Sequence, residues 1–188
     1  MTIKIAIGCI FYNNAKELKR LLESIPIGVL DYFIGIDGVF KFTKEQNKDL
    51  PDYSNDGCRE LIFEHSNSKE FVAIYYQNTD TTEFEKRNTY LEVCDKLGDI
   101  DILIIVDTDE YFKYEPYETP EEAWTRFKKN LEFEIRKYKD HNVFGINYID
   151  EVGTKTYKPR VWVKPDEMRY IYGSHYHYAN VKREQKDI

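Results

Sequence analysis

The 188-residue sequence predicts an α/β fold, a mostly parallel sheet flanked by helices. Three observations carry that expectation. Short apolar runs alternate with segments of helical period through the first two-thirds of the chain. Two of those runs, Ile3 to Phe11 and Ile102 to Val106, are nearly continuous in apolar residues, as strands buried on both faces are. Thr119-Pro120-Glu121-Glu122 spells a helix start, with a capping Thr, Pro at the first helical position and Glu at the third.

Taken in order, Ile3 to Phe11 is the first strand. Asn13 or Asn14 caps the helix that follows, in which Leu18, Leu21, Leu22 and Ile25 recur at helical spacing. Asp31 to Asp37 is the second strand, and the polar, Pro-containing stretch from Lys41 to Ser54 is a loop. A helix through Cys58, Leu61, Ile62 and His65 leads to a third strand, Phe71 to Tyr76. His65 falls on the apolar stripe of that helix and is structural; His141 is a loop residue. Glu83 to Leu97 is the next helix, and Ile102 to Val106 is the most apolar strand. From Thr119 a long helix presents Trp124, Phe127, Leu131, Ile135 and Tyr138 on one face. From Val143 onward the pattern is strand-rich and irregular. In parallel sheets ligands sit beyond the C-terminal strand ends, so the residues closing each strand matter most.

Composition bounds the function. A length of 188 residues fits one domain, residues 1–188. The formal charge is -7 with no dominant basic run, which argues against a nucleic-acid partner held through its phosphates. No apolar run approaches the roughly 18 residues of a membrane span. The apolar N-terminal stretch lacks a small-residue cleavage site and reads as a strand, not a signal peptide. Cys9, Cys58 and Cys94 form no Cys-x-x-Cys pair, which suggests free buried thiols in a reducing, cytoplasmic setting.

The strongest chemical signal follows the fourth strand, where Asp107-Thr108-Asp109-Glu110 delivers three carboxylates in four positions. If the segment stays extended, Asp107 and Asp109 point the same way. Two like charges held close call for a cation, and a hard divalent ion takes oxygen ligands while keeping positions open for substrate phosphates. The same residues read equally as solvated acids at a strand exit or the cap of a turn. Asp37-Gly38 closes the second strand at the same sheet edge, where a carboxylate can accept from a ribose or base; a plain Asp-Gly turn is the alternative.

These residues together resemble the GT-A glycosyltransferases, especially family 2, over roughly residues 3 to 180. Tyr12-Asn13 resembles the end of that family's first strand, with Asn14 where Glu is frequent. Asp37-Gly38 resembles the nucleotide-binding Asp, without the usual second acid. Lys86-Arg87-Asn88 resembles a recurrent Arg-Asn pair. Asp107-Thr108-Asp109-Glu110 matches the metal-binding Asp-x-Asp, and Arg160 followed by Gly173-Ser174-His175 resembles an Arg-bearing strand with a late His.

The resemblance implies a Rossmann-like sheet in a single GT-A-like domain. Residues 1–112 would form its nucleotide-sugar and metal-binding half and residues 113–188 its acceptor side. It also implies a metal-dependent transferase that moves a sugar from a nucleotide-diphosphate sugar to an acceptor hydroxyl, by inversion with a carboxylate base or by the retaining chemistry that shares this fold. Mn²⁺ or Mg²⁺ would be held by Asp107, Asp109 and His175, with His177 competing for the last role. Tyr12, Asn13, Asp37, Arg87, Asp107 and Arg160 would contact the donor. Asp150 or Glu151 would serve as the base. The short acceptor side implies a large acceptor (a glycan, glycolipid or protein) or a second copy of the chain. Two other functions fit the same residues: a non-catalytic nucleotide- or glycan-binding relative, and a metal-dependent nucleotidyltransferase.

Overall fold

The computed structural model describes residues 3–79, 81–138, 143–149, 153–165, 168–172 and 180–183. The elements run β1 (Ile5–Phe11), α1 (Ala15–Glu23), β2 (Tyr32–Asp37), α2 (Lys41–Gln46), α3 (Cys58–Lys69) and β3 (Val72–Gln77). They continue with α4 (Glu83–Leu97), β4 (Ile102–Ile105), α5 (Pro120–Lys137), β5 (Val143–Ile149), β6 (Lys155–Val163), β7 (Met168–Tyr172) and β8 (Asn180–Arg183). Six strands form one sheet in the order β3-β2-β1-β4-β6-β5. The first four are mutually parallel; β6 runs antiparallel to β4 and to β5. Two reversals return β5 to the direction of β4, so both strands end at one edge. Strands β7 and β8 pair antiparallel as a separate two-stranded sheet.

The continuous apolar runs have a direct cause. Side chains of a strand alternate between sheet faces, and both faces here are covered. Ile5, Ile7, Cys9 and Phe11 of β1 pack with Leu18, Leu21 and Leu22 of α1, Ile62 of α3, and Trp124 and Leu131 of α5. Ala6 and Ile10, between them in sequence, pack with Tyr90, Leu91 and Cys94 of α4 on the opposite face. Strand β4 divides in the same way, Ile102 and Ile104 to one side and Leu103 and Ile105 to the other. Each such buried aliphatic side chain contributes about 1.5–3 kcal/mol.

Helix starts are set by local chemistry. Thr119 accepts from the Glu122 backbone N–H while Glu122 accepts from the Thr119 N–H, the reciprocal box expected of that sequence. Thr82 and Glu85 form a second such box at α4. The first helix is capped differently from the expectation. Asn14 occupies the cap position without a side-chain bond to the helix, and the Ala15 N–H donates instead to Asp56 Oδ2 at 2.8 Å. The stretch expected to be wholly loop also contains a short helix, α2, that buries none of its residues. With no apolar stripe, it left no periodic signal. His65 is buried in α3, with its Nδ1 2.8 Å from the Leu61 carbonyl, in keeping with a structural role. Cys9, Cys58 and Cys94 are buried and unbridged. Among the described residues no helix is long and apolar enough to cross a membrane.

Candidate functional site

Strand order reverses beside β1, with β2 and β3 on one side of it and β4 on the other. At such a point the loops leaving the C-terminal strand ends diverge and open a crevice. The exits of β1, β2 and β4 therefore share one edge, as the sequence led us to expect.

At the exit of β4 the chain turns instead of staying extended. The Glu110 N–H donates to the Asp107 carbonyl at 3.0 Å, and the Asp107 N–H donates to Glu110 Oε2 at 3.1 Å. Convergence of Asp107 and Asp109 by strand alternation thus does not apply, because residues 107–110 close a turn. Asp107 faces two arginines. Arg87 Nη2 reaches its Oδ1 at 3.0 Å from α4, and Arg160 Nη2 reaches its Oδ2 at 2.7 Å from β6. Burial pushes the Asp107 carboxyl up, but the charges of Arg87 and Arg160 outweigh it and hold the group at about 2.

The chain of contacts extends on both sides. Arg87 also donates to Glu83 Oε1 through Nη2 at 2.6 Å and Nε at 2.9 Å, and through Nη1 to the Tyr90 hydroxyl at 3.2 Å. Arg160 Nη2 also donates to Glu110 Oε1 at 2.6 Å, and Lys158 Nζ lies 3.2 Å from that oxygen. Carboxylates and cations thus alternate from Glu83 through Arg87, Asp107, Arg160 and Glu110 to Lys158. Arg87 and Arg160 are both buried, and neutralisation by close carboxylates is what makes burial of two guanidiniums tolerable. The Nε of Arg160 is buried with no hydrogen-bond partner among the described residues.

Asp109 stands outside this chain. It is exposed, and its carbonyl accepts from Arg20 Nη2 at 2.9 Å; the Arg20 guanidinium also lies 4.3 Å from the Tyr111 ring centre. Among the described residues no three His, Cys, Asp or Glu side chains gather as a ready-made metal cage. The donor set present is one exposed carboxylate, Asp109, beside a second, Asp107, whose oxygens already accept from arginines. A hard divalent ion held by Asp109 would have to take most of its ligands from water and phosphate.

Tyr12, Asn13 and Asp37 lie at the same edge but are engaged with one loop, residues 51–57. The Tyr12 hydroxyl donates to the Pro51 carbonyl at 2.6 Å. Asn13, at a φ of 49°, donates its N–H to Ser54 Oγ and accepts from the Asn55 N–H, both at 2.9 Å. Asp37 is wholly buried. It accepts from the Ser54 hydroxyl at 2.6 Å, from the Ser54 N–H at 3.1 Å and from the Tyr75 hydroxyl. All three residues fasten the loop across the exits of β1 and β2. Beside it Ser54, Asn55, Arg59, Tyr75 and Gln77 help line an open cleft of about 460 Å³. Past the end of β2, Lys86 of α4 is wholly buried, with Nζ 2.5 Å from the Gly38 carbonyl and 2.6 Å from that of Asn78.

The structure therefore brings together Arg87, Asp107 and Arg160, sets Asp109 at their outer rim, and gives Tyr12, Asn13 and Asp37 a loop-anchoring task. Strand β5 ends at Ile149 on this edge, but Asp150 and Glu151, which follow it, lie outside the described residues, as do His175 and His177. Sequence reasoning counted Glu110 in the carboxylate cluster without giving it a partner, and assigned no role to Glu83 or Lys158. One signal was available: Glu83 and Arg87 are spaced i, i+4 on a helix.

No protein-family model matches the chain, and no curated protein matches it. Among solved structures, S. aureus TarS matches at 16% identity over 76% of this chain and 21% of that one, with a TM-score of 0.43. Its 1-349 portion matches at 18% identity over 76% and 34%, with a TM-score of 0.43. The 1-349 portion in complex with UDP matches at 16% over the same shares, with a TM-score of 0.44. The chain thus spans about a fifth to a third of the length of those chains. Likeness this distant carries no argument about activity.

Proposed function

We propose that this chain is a metal-dependent glycosyltransferase that moves a sugar from a nucleotide-diphosphate sugar to an acceptor hydroxyl. One observation carries the reading. Beyond the C-terminal strand ends, at the reversal in strand order, an exposed carboxylate adjoins a row of alternating acids and bases that includes Arg87, Arg160 and Lys158. A nucleoside diphosphate leaving group needs positive charge close by, and guanidiniums that neighbouring carboxylates hold in place can supply it once the donor displaces one of those carboxylates.

In this reading Asp109 would hold the Mn²⁺ or Mg²⁺ that the transfer uses, with Asp107 two residues before it in the same turn. The bound ion stabilises the negative charge of the departing nucleoside diphosphate. Asp107 keeps both guanidiniums aimed at the crevice, while Tyr12, Asn13 and Asp37 hold the loop that borders the donor's nucleoside end. Proton removal from the acceptor falls to Asp150 or Glu151. The acceptor is a glycan, a glycolipid headgroup or a protein.

Thermal unfolding with UDP- and GDP-sugars, each with and without Mn²⁺, tests the reading, because a ligand raises apparent stability by mass action. A nucleotide-dependent shift that requires metal and disappears in Asp109→Ala is the expected result. Turnover should release UDP or GDP together with a glycosylated acceptor. Release of pyrophosphate would instead identify a nucleotidyltransferase. Metal-dependent binding without turnover would identify a non-catalytic relative.

A further inference from the structure

The cations of the site already hold anions, and one of those anions is placed to leave. Glu110 Oε1 lies 2.6 Å from Arg160 Nη2 and 3.2 Å from Lys158 Nζ, the position an oxygen takes when bridging two cations. Arg160 is the extra residue at a bulge in β6, where Phe144 pairs with Val161 and Gly145 with Pro159, and from there it meets the same Glu110 oxygen as Lys158. A second observation points the same way. Arg160 is buried, yet its Nε has no acceptor among the described residues, while its Nη2 serves both Asp107 and Glu110. A guanidinium offers five donors in a planar fork, and a buried one with an idle donor is suited to an anion with more oxygens than a carboxylate has.

We propose that Lys158 and Arg160 form a phosphate subsite which the chain's own Glu110 carboxylate fills, so that a nucleoside diphosphate binds by displacing Glu110. The identity of that anion as a donor diphosphate rests on the glycosyltransferase reading; the subsite itself rests on the geometry. Glu110 is held by one buried arginine and Asp107 by two, so Glu110 is the carboxylate displaced. Asp107 is gripped on both oxygens by buried arginines, one on α4 and one on β6. Glu110 belongs to the turn at residues 107–110: its side chain is 11% exposed, its Oε2 accepts from the Asp107 N–H at 3.1 Å, and the Lys158 side chain beside its Oε1 is 27% exposed. The alternating row contains three carboxylates (Glu83, Asp107, Glu110) and three cations (Arg87, Arg160, Lys158), a formal charge of zero. Displacing Glu110 from the row leaves it one positive charge in excess, which favours an entering phosphate. Glu110 thereby opposes binding of any weaker anion and makes the site selective for multiply charged ones.

Calorimetric titration of the full chain and of Glu110→Gln with UDP, GDP and inorganic pyrophosphate, each with and without Mn²⁺, tests this. Gln keeps the shape and removes the charge, so all three probes should bind at least fivefold more tightly to the variant. Lys158→Met in the otherwise unaltered chain should weaken pyrophosphate at least fivefold, and this arm holds even if Glu110→Gln fails to fold. Equal or weaker binding by a folded Glu110→Gln overturns the proposal, as does Lys158→Met without effect. Unaltered UDP affinity in Glu110→Gln alongside sugar turnover by the parent chain sinks the subsite and leaves the glycosyltransferase reading standing. Tighter pyrophosphate binding in a protein that turns over no sugar nucleotide supports the subsite and sinks that reading.

Discussion

Lys86→Met isolates the buried ammonium between Gly38 and Asn78. Lys86 is wholly enclosed, bonds two backbone carbonyls and lies 4.8 Å from the Phe40 ring centre. Burial lowers its pKa from the ordinary 10.5 to about 8, against the opposing pull of the Asp37 charge. That displacement corresponds to about 3 kcal/mol against the charged form in the folded chain. The sign follows from proton counts. Between about pH 8 and 10.5 the unfolded chain holds a proton that the folded chain has released, so folding stability rises with pH across that window. Below about pH 8 both states are protonated and the fold bears the whole penalty. Of the total, about 2 kcal/mol should return between pH 7 and 9.5. The Met variant has no such titration. Urea unfolding of both proteins at these two pH values should therefore show the parent gaining about 2 kcal/mol relative to the variant, with other titrations cancelling in the difference. Parallel pH dependences, or a parent that loses ground, would refute the placement of a charged Lys86 in the core.

Three further perturbations test other parts of the structure. In Asp107→Asn, the parent's carboxyl, held at about 2 against an ordinary 3.8, no longer contributes. A lowered folded pKa stabilises above the unfolded value, so the variant should lose about 2 kcal/mol at pH 7, and the difference should shrink as the pH falls from about 4 to 2 in acid-unfolding curves. Gly38 sits at a φ of 145°, where an added Cβ would lie 2.3 Å from the Asn78 carbonyl oxygen, which is backbone. Gly38→Ala should therefore cost about 3 kcal/mol or more by chemical unfolding, through strain and clash together. Thr119→Ala removes the cap of α5 and should cost about 1 kcal/mol, read as a fall in Tm of about 2–4 °C.

Much of the architecture was legible because its signals are local. The runs at Ile3–Phe11 and Ile102–Val106 announce strands covered on both faces, and the core clusters on either side of β1 and β4 are the reason they read that way. The boxes at Thr82 and Thr119 depend only on residues three apart. Asp107 stood out because it follows such a strand. Less legible were features whose partners are distant in sequence. The cap of α1 comes from Asp56, 41 residues away, and the partner of Asp37 is Ser54, 17 residues away.

By itself, then, the chain's amino-acid order determined the strands and helices as far as α5 apart from the short α2, which edge of the sheet carries the acids, and that Asp107 and Asp109 emerge there. Only the tertiary structure decided what those acids meet. Asp107 finds Arg160 at a separation of 53 residues because β6 enters the sheet antiparallel beside β4, and it finds Arg87 because α4 covers that face. Side-chain periodicity is a property of one segment and can be read along it. Charge pairing between segments depends on sheet order and register, which are settled by how all the apolar faces are buried at once.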